Sequence, residues 1–243
     1  MSERLSKQEW QTPEVHESPI EPELEAIRGV GGKAVTQVLL YSGGWDSYLA
    51  SQIYPEAHKL YVDLKTPYSQ AEIDKLPEDT KVMDLDLQQF VMPNGHHIPQ
   101  RNAIFALLGT GYGMTFGNQD IEVIMAGMKE DINMSDKNPE YFKELEHLIN
   151  LFYSKDTNQE ETFRVKVKGF FEHDKVSLWE AAGKPDMRNI VSCYDESGDC
   201  RECLDCKRRL LLLNHLYPGE YDIDVDKFKQ DLEEAKWLNS DKV

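Results

Sequence analysis

The 243-residue sequence has no apolar run close to the ~18 residues that a membrane-spanning helix needs. Its first residues, Met1-Ser-Glu-Arg-Leu-Ser-Lys, lack the apolar centre of a signal peptide. Both absences lead us to expect a cytoplasmic protein with no membrane partner. Positive charge is scarce as well, with 27 Lys and Arg against 44 Asp and Glu, a formal net charge of −17. Proteins that grip tRNA or duplex neutralise phosphates with clustered basic side chains. The one dense basic spot here is Lys207-Arg208-Arg209, so the balance argues against direct nucleic-acid binding and for a small-molecule substrate. Internal repeats and low-complexity tracts are missing. Cysteine is rare too. All four lie between Cys193 and Cys206, which in a reducing compartment points to metal or redox chemistry rather than a disulfide scaffold.

What is present is a regular alternation of strand and helix signals from Val35 onward. The apolar run ending at Tyr41, then His58–Val62, Lys81–Leu85 and Glu122–Ala126 read as strands, and Phe163–Lys168 alternates as a half-exposed strand does. Helical spacing follows each: Tyr48–Ile53, Gln70–Leu76, Ala103–Leu108 with Gln100 or Asn102 as its cap, and Lys175–Ala182. A further helix starts at Asn138-Pro139, a cap followed by proline in the first turn. Its stripe of Tyr141, Phe142, Leu145, Leu148, Ile149 and Phe152 is expected to be core. Helices over Leu210–Leu216 and Asp226–Leu238 close the chain. The predicted fold is α/β, a doubly wound, mostly parallel sheet. Three regions are expected: a polar extension over 1–33, an α/β domain over 34–186, and a cysteine-bearing helical segment over 187–243. Adjacent His96 and His97 follow a turn at Pro93–Gly95; without a second ligand pair at zinc spacing they read as solvated loop residues.

Ser42-Gly43-Gly44-Trp45-Asp46-Ser47 directly follows the first strand. Two glycines there let the chain turn tightly and approach a ligand closely. The helix that follows presents free N–H groups and the positive end of its dipole to an anion. Ser42 and Ser47 add hydroxyl donors, and Asp46 is placed to hold a metal ion on phosphates. No Gly-Lys-Ser/Thr closes the loop, so it is not a Walker loop. It resembles instead the PP-loop of the ATP pyrophosphatases, Ser-Gly-Gly-x-Asp-Ser.

The cysteine spacing is Cys193-x6-Cys200-x2-Cys203-x2-Cys206. Four thiolates this close can surround one Zn²⁺ tetrahedrally, and four protein ligands leave no open position for substrate, so such a site is structural. An iron–sulfur cluster or a redox Cys-x-x-Cys pair are the alternatives that the residues alone leave.

A PP-loop on the first strand and a C-terminal four-cysteine knuckle together resemble the 7-cyano-7-deazaguanine synthase (QueC-like) family over about residues 35–218. Pro99-x-Arg-Asn102, Ala126-Gly127 with an acidic loop holding Asp131, Ser135 and Pro139, and Ser192-Cys193-Tyr194 carry the same resemblance in the same order. The resemblance implies a homodimer that uses ATP, Mg²⁺ and a structural Zn²⁺. It implies activation of 7-carboxy-7-deazaguanine as an acyl-adenylate, attack by ammonia to give the amide, and a second adenylation to give the nitrile. Asp46, Ser47 and Arg101 are then the expected catalytic residues. ATP would be bound by Leu40, Tyr41, Ser42, Gly43, Gly44, Trp45, Asp46, Ser47 and Gly127, and the acceptor by Arg101, Asn102 and Asp131. From the residues alone Arg101 reads equally as a surface arginine beside a helix start. Two departures bear on the acceptor. The Arg-His pair that usually precedes a glutamate after the family's second strand is missing from Lys65–Glu72, and Tyr-Pro-Asp-Cys-Arg is reduced to Lys137-Asn-Pro-Glu140. A relative that stops at the amide, one that transfers the activated deazaguanine to another amine, and a non-catalytic nucleotide-binding module are the alternatives.

Overall fold

The computed structural model describes residues 34–91, 98–154, 163–190, 193, 195 and 199–240. The chain divides into a unit of residues 1–33, outside the described residues, and a compact unit of residues 34–243. The turn at 93–95, His96, His97, Ser192 and Tyr194 also lie outside the described residues.

Elements follow the expected alternation. They are β1 (Val35–Leu40), α1 (Trp45–Ile53), β2 (His58–Asp63), α2 (Ser69–Ile73), β3 (Lys81–Asp84), α3 (Arg101–Met114), β4 (Asp120–Met128), α4 (Pro139–Ser154), β5 (Arg164–Phe170), α5 (Lys175–Ala181), α6 (Leu204–Leu216) and α7 (Val225–Ser240). The five strands pair in the order β3-β2-β1-β4-β5, and every pairing is parallel. Strand order reverses between β1 and β4. That reversal opens a crevice outside the strands' carboxyl ends, where ligands of open α/β sheets bind.

Both alternating residue sets of the central strands are buried, so the sheet is covered on both faces. Val38 and Val123 face one way and Leu39 and Ile124 the other, all 0% exposed. On the first face, β4 and β5 pack with Ala106 of α3 and with Phe142, Leu145 and Ile149 of α4. Val38, Leu60 and Val62 extend that layer toward β2. Helix α1 contacts β1 and β4 and meets α5.

Two expectations change, and of the two caps expected for α3 one holds that place. Helix α3 continues past Leu108 to Met114 through three glycines, and the reason is proximity: a Cβ on Gly113 would lie 2.6 Å from Ile121 Cγ2. Its N-cap is Gln100, in a left-handed conformation (φ 58°) with no side-chain cap bond, while Asn102 lies inside the helix. The α4 stripe is core in only part. Phe142, Leu145 and Ile149 are buried, whereas Leu148 and Phe152 are 46% and 60% exposed. Asn138 does cap α4, its Oδ1 accepting from Tyr141 N at 2.8 Å.

Candidate active site and metal centre

The cradle is built by the strand-to-helix turn itself. Strand β1 ends at Leu40, Gly43 takes φ 73°, and α1 begins at Trp45 with no side chain capping its first amides. Ser42 N donates to Ser47 Oγ (3.2 Å), Gly44 N to Ser42 Oγ (3.3 Å), and Ser47 Oγ to Gly44 O (3.1 Å). These bonds fix the turn before any ligand arrives, as an anion site at a helix N-terminus requires.

Asp46 points at two cations. Its Oδ1 is ion-paired with Lys175 Nζ, and Lys137 Nζ lies 3.9 Å from Oδ2. Lys175 opens α5, after the end of β5, and Lys137 sits between β4 and α4. Burial opposes the charge on Lys175, but Asp46 and then Glu130 and Asp131 outweigh it and hold its pKa above the ordinary lysine value. The sequence reading missed both lysines. Their position just beyond the carboxyl ends of β4 and β5 is the signal that could have found them.

A cavity of about 370 Å³ opens beside this turn. Leu40 to Ser42 and Gly44 to Ser47 form one wall, with Ala126, Lys137 and Lys175 next to them. Arg101 and Asn102 of α3 line it, as do Thr66, Tyr68 and Glu72 beyond β2. Helix α6 adds Asp205, Arg208 and Arg209. The structure thus brings the PP-loop residues together with Arg101 and Asn102. Asn102 Nδ2 also donates to Asp136 O at 2.8 Å, tying α3 to the loop after β4.

Two expected residues stand elsewhere. Asp131 accepts from Met128 N (3.0 Å) and pairs with Lys137 (2.7 Å), so it holds the post-β4 turn rather than forming cavity wall. Gly127 is a packing position: a Cβ there would lie 2.5 Å from Phe171 Cζ. Successive strand residues face opposite ways, and it is Ala126 that lines the cavity.

Glu72, the glutamate of the Lys65–Glu72 stretch that lacks the family's Arg-His, is a cavity residue to which the sequence assigned no role. Tyr61 Oη donates to its Oε2 at 2.6 Å. Burial pushes its carboxyl up to about 7, against the lowering effects of the Tyr61 bond and of Arg101. Burial, then Glu72, raises the Tyr61 hydroxyl in turn.

The four cysteine sulfurs lie within 4.8 Å of one another. A tetrahedral Zn²⁺ with bonds of about 2.3 Å sets its sulfurs about 3.8 Å apart, and Cys200 and Cys206 Sγ are already 4.0 Å apart. Backbone N–H groups point at the sulfurs: Asp195 and Cys200 at Cys193, Cys203 at Cys200, and Cys206 at Cys203, all at 3.3–3.4 Å. Such donors stabilise thiolates, the form that ligates metal. The Cys203 and Glu202 amides lower Cys200 to about 7, while burial raises Cys193 and Cys206. The donor set therefore fits a structural metal and is consistent with zinc. The same knuckle starts α6, since Cys203 Sγ caps it. Arg209, about a turn and a half into that helix, is anchored by Asp199 at 2.6 Å.

The family model for queuosine biosynthesis protein QueC matches residues 62–216, more than half of the chain. The chain belongs to the QueC family. A 7-cyano-7-deazaguanine synthase of Rickettsia akari (strain Hartford) is 28% identical over 214 residues, covering 71% of this chain and 92% of that protein. The 7-cyano-7-deazaguanine synthase of Rickettsia prowazekii (strain Madrid E) is 26% identical over 211 residues with the same coverage. For that of Rickettsia felis (strain ATCC VR-1525 / URRWXCal2) the match is 28% over 142 residues, 57% of this chain and 56% of the relative. Among the described residues, no helix is long and apolar enough to cross a membrane.

Proposed function

We propose that this QueC-family chain is an ATP-dependent ligase that converts 7-carboxy-7-deazaguanine and ammonia to 7-cyano-7-deazaguanine through an acyl-adenylate and an amide. The observation that carries this reading is the Ser42–Ser47 turn opening onto one cavity with Lys137, Lys175 and Arg101. Three cations and a helix N-terminus suit a polyphosphate and the negative charge that grows when its α-phosphorus is attacked.

The roles follow from position. The α1 amides and the Ser42 and Ser47 hydroxyls hold the departing pyrophosphate. Lys175 and Lys137, which pair with Asp46, are placed to turn to phosphate oxygens instead. Asp46, so freed, can hold Mg²⁺, which when bound neutralises phosphate charge. Arg101 neutralises the acceptor carboxylate or the α-phosphate, and Asn102 positions Arg101's helix against the post-β4 loop. Four thiolates hold Zn²⁺ as a structural ion, with no open position for chemistry. A homodimer is part of the same proposal, on the family resemblance.

One observation favours a second reading of the product. The segment that usually bears Arg-His in the family here bears Lys65, drawn to Asp63 (2.7 Å) and Asp84 (2.5 Å). The acceptor side thus differs from the family pattern more than the phosphate side does, which suits an enzyme that stops at the amide or serves another amine. Mass spectrometry after incubation with ATP, Mg²⁺, ammonium and 7-carboxy-7-deazaguanine tests this. Nitrile with two AMP per product supports the synthase, amide alone supports the shortened reaction, and AMP with neither supports a different amine. No AMP at all refutes the ligase.

A further inference from the structure

Three acidic side chains line the cavity: Asp46, Asp205 and Glu72. Two of them are already neutralised by direct contact. Asp46 pairs with Lys175 and Lys137, and Asp205 accepts from Arg208 Nη1 at 3.1 Å. Glu72 makes no ion pair among the described residues. Its contact is neutral, the Tyr61 hydroxyl, which donates to Oε2.

A carboxylate kept in a ligand cavity without a cation carries an unpaid desolvation cost until something donates to it. Tyr61 occupies part of one oxygen and fixes the carboxylate's orientation, and the charge of Arg101 favours its ionised form. The remaining acceptor capacity of the two oxygens suits two parallel N–H donors on one rigid ligand edge. A guanine-type ring offers that pair, N1–H beside the 2-amino group. Adenine offers one donor beside one acceptor, so an ionised carboxylate would confront its N1 lone pair.

We propose that the Glu72 carboxylate is the specificity determinant of the acceptor site, taking the N1–H and 2-amino group of a deazaguanine ring on its two oxygens. Tyr61 is the positioning residue behind it. The 7-carboxylate stands at the far end of the ring system, so anchoring the N1–C2 edge at the β2–α2 wall leaves that carboxylate free for the cradle. The inference rests on the proposed deazaguanine substrate.

Calorimetric titration of the full chain, without ATP, tests it with two ligands: 7-carboxy-7-deazaguanine and its counterpart lacking the 2-amino group. Loss of one hydrogen bond to a charged group corresponds to roughly 10- to 100-fold, and the wild-type protein is expected to bind the des-amino ligand that much more weakly. Glu72→Gln, which presents one acceptor and one donor, is expected to bind 7-carboxy-7-deazaguanine more weakly by a similar factor and to lose the preference. Equal wild-type affinity for both ligands would overturn the proposal without any variant. So would a Glu72→Gln protein that keeps its preference. Failure of the proposed function looks different: no binding of either ligand and no AMP formed by the wild-type protein, which would remove this inference along with it.

Discussion

Two polar clusters contribute to the cavity and are built on opposite principles. In the cysteine knuckle every donor is committed: four sulfurs face one another, and backbone N–H groups satisfy them from outside. At the PP-loop the charges are paired only provisionally, Asp46 with Lys175 and Lys137, all three side chains remaining 22–29% exposed. A closed set of ligands stabilises a fold; an open set of ion pairs can be exchanged for a substrate. The two are linked through α6, which Cys203 caps and Cys206 anchors while Asp205, Arg208 and Arg209 face the cavity. The cysteine knuckle thus fixes the start of the helix that supplies part of the cavity lining.

The sharpest way to break this contrast is Cys203→Ser. Binding of structural zinc is worth about 10–16 kcal/mol in small zinc domains, as much as the whole stability of most proteins. We expect loss of metal, a collapsed melting transition and no activity, read by metal analysis alongside thermal melting. Retained zinc with normal melting would make the knuckle dispensable. Asp46→Ala should act on the other cluster alone, lowering ATP turnover by about 10²–10³-fold or more while metal content stays at the wild-type level.

Smaller effects sharpen the picture. Gly127→Ala drives a methyl into the Phe171 ring and should cost about 1–3 kcal/mol of stability, with KM for ATP unchanged; a raised KM would restore the nucleotide role expected from sequence. Glu72 gives the mildest signal. Its folded pKa of about 7 lies above its ordinary value of 4.5, so the folded state binds the proton more tightly. The stabilisation is full below the unfolded value and is lost as pH rises through about 7. Wild-type melting should therefore fall relative to Glu72→Gln between about pH 5 and 8, in the absence of ligand. Parallel curves would mean that Glu72 titrates like a surface carboxyl.

Much of this was legible in the residues. The strand–glycine–helix unit at 38–53 and the cysteine spacing are local, so short sequence windows contain nearly all that determines them. The same holds for Asn138-Pro139 at the start of α4. What was hidden depends on distant contacts. Lys175 meets Asp46 only because β5 lies two places from β1 in the sheet. Helical spacing is read only as far as Leu108, short of Gly109, Gly111 and Gly113, and it is the closeness of α3 to Ile121 that gives Gly113 its packing reason. Leu148 and Phe152 share a helical stripe with Phe142 and Ile149, yet the burial boundary runs through it. Glu72 lies in the Lys65–Glu72 stretch that lacks the family's Arg-His, and its Tyr61 partner sits eleven residues away on another element.

The most direct measurement is ATP–pyrophosphate exchange, which reads the adenylation step independently of the later fate of the product. With Mg²⁺ and no ammonium, labelled pyrophosphate should enter ATP only when 7-carboxy-7-deazaguanine is present, and Asp46→Ala should slow the exchange by about 10²–10³-fold or more. Exchange that ignores the deazaguanine, runs at the wild-type rate in the variant, or fails to occur in the wild-type protein would contradict the account.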